Sequence, residues 1–131
     1  MSRWMFVLVT VLATSVYAYG QSRKEIYELQ ERCGKRAVEL FEKDFPPADR
    51  KGLENFENHY SVRLNKCFML EDNTLFSSDN GKNYQSRFMA LVDVNDNKTV
   101  GSFNSLSCDV GEKKCRSEQE FKALIRPYME D

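Results

Sequence analysis

Four cysteines placed behind an apolar leader constrain this chain more than any other feature of its sequence. The leader has a basic start over residues 1–4, an apolar run over residues 5–16 and small residues at Ala18 and Gly20. This layout is typical of a secretory signal peptide cleaved after Gly20 or Ala18. All the cysteines lie beyond it, so we expect a periplasmic or secreted protein with two disulfides. They are Cys33, Cys67, Cys108 and Cys115.

An uncleaved membrane anchor is the alternative interpretation of the leader. The apolar run has 12 residues and no second one follows it, whereas a membrane-spanning helix needs about 20. We therefore favour cleavage, which leaves a single domain of 111 residues over 21–131. A chain of this size forms one small folding unit, and we expect it to have no membrane span.

The net charge of the chain limits the kinds of partner molecule that can be expected. The chain has a net charge of −1 and Arg3 is the one charged residue of the leader, so the predicted domain carries −2. Acidic and basic residues are interspersed along it. A near-neutral surface gives no electrostatic reason to expect nucleic acid or anionic lipid as a partner. No motif indicates a cofactor.

Four cysteines allow three disulfide pairings, and periodicity favours one of them. Cys33 recurs at helical spacing with apolar neighbours, whereas Cys67 lies in an apolar run typical of a strand. Cys108 and Cys115 are seven positions apart and flank a turn-forming stretch. We therefore predict Cys33–Cys67 and Cys108–Cys115. Zinc is the rival use, but spacings of 34, 41 and 7 lack the close Cys-x-x-Cys pairs of zinc sites.

Apolar spacing and turn residues predict the first half of the fold. Residues 22–45 form a long helix that the two following prolines end. Residues 48–53 are a polar link, and residues 60–70 are a strand with Cys67 and Met69 turned toward the helix. Residues 71–84 are a polar loop with at most a short strand at 75–76. The predicted outer face of the 60–70 strand consists of Tyr60, Val62, Leu64, Phe68 and Leu70.

The second half is predicted to complete an antiparallel meander and to end in a helix. Residues 87–94 carry apolar side chains on both faces, which indicates a central strand. Residues 95–98 form a hairpin turn and 99–103 the next strand. Ser117 caps a last helix, with Glu120 completing a capping box. We therefore expect an α+β fold with a long N-terminal helix, a meander of three to four strands and a C-terminal helix.

His59 is the single histidine and the best candidate for acid–base chemistry. Glu54 or Glu57 could orient its ring, as a hydrolase requires. No serine lies in a Gly-x-Ser-x-Gly nucleophile elbow. We therefore interpret His59 as a partly buried histidine at the start of a strand, and we assign no catalytic residue.

Asp93, Asn95 and Asn97 have the spacing of the first ligands of a calcium loop. Lys98 stands where that loop needs glycine, and Asn104 where it needs a bidentate glutamate. A hairpin turn is the better interpretation, and no metal site is predicted. Asn97 also begins an Asn-Lys-Thr glycosylation acceptor pattern, relevant only in a cell with that machinery.

Aromatic residues concentrate in the predicted sheet, where they form either a core or an exposed docking face. The candidates for a binding surface are His59, Tyr60, Phe88 and Phe103.

The segment over residues 59–68, His-Tyr-Ser-Val-Arg-Leu-Asn-Lys-Cys-Phe, resembles one in small exported bacterial proteins of unknown function. The early helical cysteine, the later cysteine pair and the tail over 121–130 extend the resemblance. It implies the compartment and the architecture, and it implies no activity.

These features predict an exported, non-enzymatic protein that binds another protein through one face of its sheet. An inhibitor of a protease or of lysozyme would belong to this class. The alternatives are a small secreted hydrolase that uses His59 and a structural component of the cell envelope.

Overall fold

The computed structural model describes residues 20–50 and 52–131, so the predicted leader lies outside the described residues except for Gly20. Its elements follow one another as helix, sheet and helix. In chain order they are α1 (Arg23–Asp44), a 3₁₀ turn (Pro47–Asp49), β1 (Gly52–Ser61), β2 (Lys66–Asp79), β3 (Lys82–Asp93), β4 (Lys98–Phe103), β5 (Cys108–Val110), β6 (Lys113–Lys114) and α2 (Glu118–Met129).

The strands form one antiparallel sheet in the order β1-β2-β3-β4-β5-β6. The α+β class with an antiparallel meander is confirmed. The predicted number of three to four strands is wrong, because the sheet has six. The prediction missed β1, which begins inside the supposed polar link, and the short β5–β6 hairpin.

The single strand predicted over residues 60–70 is instead the end of β1, a turn over residues 62–65 and the start of β2. Val62 and Leu64 lie in this turn and happen to continue the alternation of the strands. Asn65 closes the turn with φ of 51°, a conformation that asparagine tolerates better than most residues. As a result Tyr60 and Phe68 lie on opposite faces of the sheet.

The polar loop predicted over residues 71–84 is also wrong, because β2 continues to Asp79 and β3 begins at Lys82. A tight turn joins the two strands, with Asn80 and Gly81 at φ of 50° and 74°. Two consecutive positive φ angles suit the twist of a tight hairpin. We call residues 75–86 of this hairpin the arm. All of its residues are exposed, so its sequence lacks the apolar alternation of a strand with a buried face.

The two helices pack on opposite faces of the sheet, which produces two separate cores. On the α1 face, the buried residues are Cys33, Ala37, Phe41, Tyr60, Cys67, Met69, Ala90, Val92 and Val94. On the α2 face, they are Phe68, Leu70, Met89, Leu91, Val110, Cys115, Phe121 and Ile125. The alternation predicted for β3 is confirmed, since even and odd positions of the strand belong to different cores.

Both predicted disulfides are present. Cys33–Cys67 joins the middle of α1 to the start of β2, with a Cα–Cα distance of 5.4 Å. Cys108–Cys115 joins β5 to the segment that enters α2, with a Cα–Cα distance of 5.0 Å. Each disulfide therefore ties the sheet to one of the two helical layers.

The capping of the two helices differs from the expectation in one detail. Ser22 and Glu25 form a complete capping box at α1. At α2 the Ser117 Oγ accepts the N–H of Glu120 as predicted, but the Glu120 carboxylate accepts from Arg116 N instead of closing the box.

The two disulfides should stabilise the protein unequally, because the first closes a loop with a sequence separation of 34 and the second one of 7. Replacing Cys33 and Cys67 by serine should lower the free energy of unfolding by about 3–4 kcal/mol, and replacing Cys108 and Cys115 by about 2.5 kcal/mol. Urea unfolding of the two double variants checks this order. A larger loss from the second pair would contradict it.

A buried carboxyl group should make the stability fall as the pH rises. Glu71 is 5% exposed on the α1 face, and burial, followed by the nearby Asp44 carboxylate, raises its pKa to about 7. Its ordinary pKa of 4.5 applies in the unfolded chain, so the folded protein holds the extra proton between about pH 4.5 and 7. Stability is therefore lost as the pH rises through this window.

The variant Glu71→Gln should remove this loss, which amounts to about 2–3 kcal/mol. The measurement is the free energy of unfolding of the parent and the variant at pH 4.5 and pH 8. We expect the variant to gain relative to the parent at pH 8. If the parent and the variant lost the same free energy of unfolding between pH 4.5 and pH 8, Glu71 would have to ionise in the folded protein as easily as in the unfolded chain.

Candidate functional site: the arm and the helix–strand groove

The four residues proposed for binding do not form one surface. His59 and Tyr60 are neighbours near the end of β1, and not at the start of a strand as predicted. Phe88 is half-buried against the α1-face core, and Phe103 against the α2-face core with its ring centroid 6.0 Å from that of Phe121. Tyr60 is itself buried in the α1-face core, so three of the four serve the packing of the sheet.

His59 belongs to a cluster that holds the end of the chain on the sheet. Its Nε2 forms a hydrogen bond with the Asp131 Oδ1, so its acidic partner is a residue 72 positions away and not one of the two glutamates considered above. The other Asp131 oxygen accepts from Ser61 Oγ at 3.2 Å and from Arg63 N at 3.0 Å. Burial opposes ionisation of Asp131, but the hydrogen bonds from Arg63, His59 and Ser61 outweigh it and lower its pKa.

This cluster lacks the order of a hydrolytic triad. In a triad the serine contacts the histidine, and the acid orients the histidine from the other side. Here Ser61 and His59 both contact the carboxylate directly, and Ser61 is fully buried. Ser61 Oγ also accepts the N–H of Leu64. The geometry is that of a structural clamp between the β1–β2 turn and the end of the α2 segment.

The calcium-like spacing is used to build the β3–β4 turn. Asp93 Oδ1 accepts the N–H groups of Asn95 and Asp96, and its Oδ2 accepts from Lys66 Nζ at 2.5 Å. Asn95 Oδ1 accepts from Cys67 N at 2.8 Å. Within residues 20–50 and 52–131, no group of three or more histidine, cysteine, aspartate or glutamate side chains is placed to hold a metal ion.

Exposed apolar side chains mark two other surfaces. Among the described residues, eight large apolar side chains are exposed. At the arm and its base they are Leu53, Leu75, Phe76 and Tyr84, and in a groove between α1 and β1 they are Tyr27, Val38 and Val62. Leu106 lies in the β4–β5 loop, which follows the end of β4 opposite Met89 and is on the side of the sheet where the arm begins. Clustering of this kind indicates a binding surface better than single exposed residues do.

The arm projects as a two-stranded ribbon. Pairing of β1 with β2 reaches only to Gly52 opposite Leu75, and pairing of β4 with β3 only to Phe103 opposite Met89. From Phe76 to the tip, β2 and β3 therefore pair only with each other. The ribbon has four residues per strand, each with a rise of about 3.3 Å, so it extends roughly 13 Å beyond the three-stranded region.

The root of the arm is fixed to α2 by Arg87. Its guanidinium donates two hydrogen bonds to the Asp72 carboxylate, at 2.8 and 2.6 Å, and one to Glu118 Oε1 at 2.7 Å. The hydrogen bonds from Arg87 lower the pKa of Asp72, although burial opposes the shift. A bidentate pair of this kind has a defined geometry, so the direction of the arm is set by the body of the protein.

The groove consists of two pockets separated by a constriction. The first, of about 380 Å³, lies between Tyr27 on α1 and Tyr60 on β1, beside His59 and Asp131. The second, of about 280 Å³, lies between Val38 on α1 and Phe56 on β1. Between the pockets, α1 is in contact with β1 at Gly34 and Asn58. A Cβ added at Gly34 would lie 3.6 Å from Asn58 Nδ2.

The sequence pattern indicates His59 and Tyr60, at one end of the groove, but most of the arm lies in the stretch predicted to be a loop. The available signal was the Asp-Asn-Gly-Lys turn at residues 79–82, since Asn-Gly between two strands is the strongest short-range indication of a hairpin.

No helix among the described residues is long and apolar enough to cross a membrane. Comparisons with protein-family models, with curated proteins and with solved structures find no match.

The clamp at Asp131 should contribute to stability. Asp131→Ala removes acceptors of three hydrogen bonds and leaves the buried Ser61 hydroxyl without one of its partners, so we expect a loss of about 1–3 kcal/mol. Thermal or urea unfolding measures the change. Glu130→Ala, at the exposed neighbouring position, is the control. An equal loss in both variants would show that the clamp is not formed in solution.

Proposed function

We propose that this protein is an exported, non-enzymatic binding protein that inserts its arm into a concave surface of another protein. The observation that supports the proposal is the concentration of exposed Leu75, Phe76 and Tyr84 on the arm, with Leu53 of β1 beside its base. Aromatic residues are enriched in protein–protein interfaces, and tyrosine is enriched among the residues that dominate the binding energy.

The composition of the arm favours a protein partner. Its charged residues are Asp79 and Lys82, which face each other across the tip. The remainder combines the apolar residues with serine, asparagine and glutamine, the mixture that antibody paratopes use. A nucleic-acid site would require several unpaired basic groups, which the arm does not offer.

The shape of the arm favours a cleft over a flat surface. Phe76 lies on the α2 face of the ribbon and Leu75 and Tyr84 on the α1 face, as the strand register requires. A partner that covers both faces must surround the ribbon. Enzyme active sites are concave and largely apolar, so an inhibitor of an extracellular hydrolase is the form of this function that the arm suits best.

The disulfides are compatible with the proposed compartment, because structural disulfides persist in oxidising environments and are rare in the cytosol. The two alternatives from the sequence, a hydrolase that uses His59 and an envelope component, stay predictions. The clamp geometry at His59 offers no support to the hydrolase.

The test compares capture of a partner by the parent protein and by Phe76→Ser, Tyr84→Ser and Tyr27→Ser. Tagged proteins are exposed to the exported fraction of cells that make the chain, and captured proteins are quantified by mass spectrometry. The proposal predicts a partner that is reduced at least tenfold by Phe76→Ser and by Tyr84→Ser.

Tyr27→Ser is the matched control, since Tyr27 is 75% exposed and lies beside Tyr60, at the end of the sheet opposite the arm. It should leave capture unchanged, and all three variants should keep the stability of the parent to within about 0.5 kcal/mol. Capture that is independent of the two arm residues would contradict the proposal.

A further inference from the structure

We propose that the free edge of β1, together with the groove below α1, binds an extended basic segment of a partner protein as an added β-strand. This surface is separate from the arm, and the proposal does not depend on the function assigned to the arm. It depends on three features of β1: the direction of its backbone groups, the pockets beside it and its charge.

Three hydrogen bonds fix the direction of the β1 backbone. Tyr60 pairs with Cys67 in the register of β1 and β2. The N–H and C=O of Cys67 are bound on the β3 side, by Asn95 Oδ1 at 2.8 Å and by Val94 N at 2.9 Å. The N–H of Tyr60 is bound on the other side, by Gln30 Oε1 of α1 at 2.9 Å. The backbone N–H and C=O of Tyr60 therefore point away from β2, toward the free edge of the sheet.

Alternate residues of a strand direct their N–H and C=O groups to the same side. Phe56 and Asn58 consequently present outward backbone groups along the same edge as Tyr60. Folded proteins protect such edges with lysine, proline, bulges or a covering segment. The ten residues of β1 include no lysine, arginine or proline, so the edge is open to an added strand between Gln30 and the start of β1.

The two pockets of the groove match the spacing of side chains in an added strand. They lie beside Tyr60 and beside Phe56, four residues or about 13 Å apart along β1. Side chains at positions i and i+4 of an extended peptide point to one face and have the same separation. The constriction between Gly34 and Asn58 lies between the pockets, so a small side chain suits position i+2.

The charge of the edge indicates what the added strand should carry. Glu57 is an exposed acidic residue of β1 and lies on the α2 face of the strand, because it pairs with Leu70. The two pockets beside α1 already hold an arginine each, Arg23 in the first and Arg50 in the second, so the basic side chain of the added strand belongs opposite Glu57. Opposite charges across neighbouring strands stabilise pairing and like charges oppose it. A second copy of β1 would bring two more glutamates and no basic group, which favours a different, basic partner.

The experiment begins with a phage-displayed library of random 12-residue peptides, selected on the purified, oxidised protein. We expect enriched sequences with lysine or arginine and with apolar residues four positions apart. One enriched peptide is then synthesised in three forms: unmodified, N-methylated at the amides of one edge, and N-methylated at the amides of the other edge. Methylation of the pairing edge should weaken binding at least tenfold, because it removes several backbone hydrogen bonds.

The site on the protein is mapped by amide hydrogen exchange and by charge reversal. Binding of the peptide should slow exchange at Phe56 and Asn58 at least tenfold. Glu57→Lys should weaken binding at least threefold, whereas Glu112→Lys, at an exposed turn position with the same change in net charge, should not. Phe76→Ser on the arm should leave binding of the peptide unchanged.

Several results would overturn the proposal. They are a failure to enrich any peptide, equal binding by both N-methylated forms, and equal effects of Glu57→Lys and Glu112→Lys. Sedimentation that shows a dimer with Phe56 and Asn58 already protected in the free protein would identify a second copy as the occupant and would also overturn it.

Discussion

The packing of both faces of β2 and β3 is the constraint on which the rest of this structure depends. Met69 and Leu91 are completely buried in different cores, one under α1 and the other under α2. A sheet covered on both sides has only its edges and its ends left for contact with other molecules. Each helical layer is small, and the disulfides Cys33–Cys67 and Cys108–Cys115 fasten each layer to the sheet. Cross-links of this kind compensate for the limited core of a small domain.

The two surfaces that we propose for binding follow from this arrangement. The arm is the part of β2 and β3 that extends past both helices, so its apolar side chains have no helix to cover them. The groove lies at the β1 edge, where α1 contacts the strand through Gln30, Cys33, Gly34 and Phe41. The arm is built on the central strands β2 and β3, and the groove on the edge strand β1 and the helix α1, so neither surface is formed by loops alone. Their geometry is therefore set by the same packing that stabilises the fold, which reduces the entropy lost on binding.

The sequence predicted the parts of the fold in which one physical signal dominates. The β3 alternation, the β3–β4 hairpin turn and the disulfide pairing were visible because burial, turn-forming residues and helical spacing each leave a clear pattern. The strand β1 was missed because it is an edge strand that contains polar residues such as Glu57 and His59. Its apolar and polar residues therefore do not alternate clearly along the sequence. The turn at Val62 and Leu64 was missed because its apolar residues mimic a strand. The contact of His59 with Asp131 joins residues 72 positions apart, and no local pattern encodes a contact of that range.

The exposure of the ordered arm is the central claim, and one NMR measurement tests it directly. Cross-strand nuclear Overhauser effects between the backbones of Phe76 and Gln85 and of Ser77 and Tyr84, the pairs of the observed register, should be present in the free protein. A soluble paramagnetic agent should broaden the ring signals of Phe76 and Tyr84 strongly and should leave those of the buried Phe121 sharp. Missing cross-strand effects, or Phe76 and Tyr84 rings as protected as that of Phe121, would contradict the account.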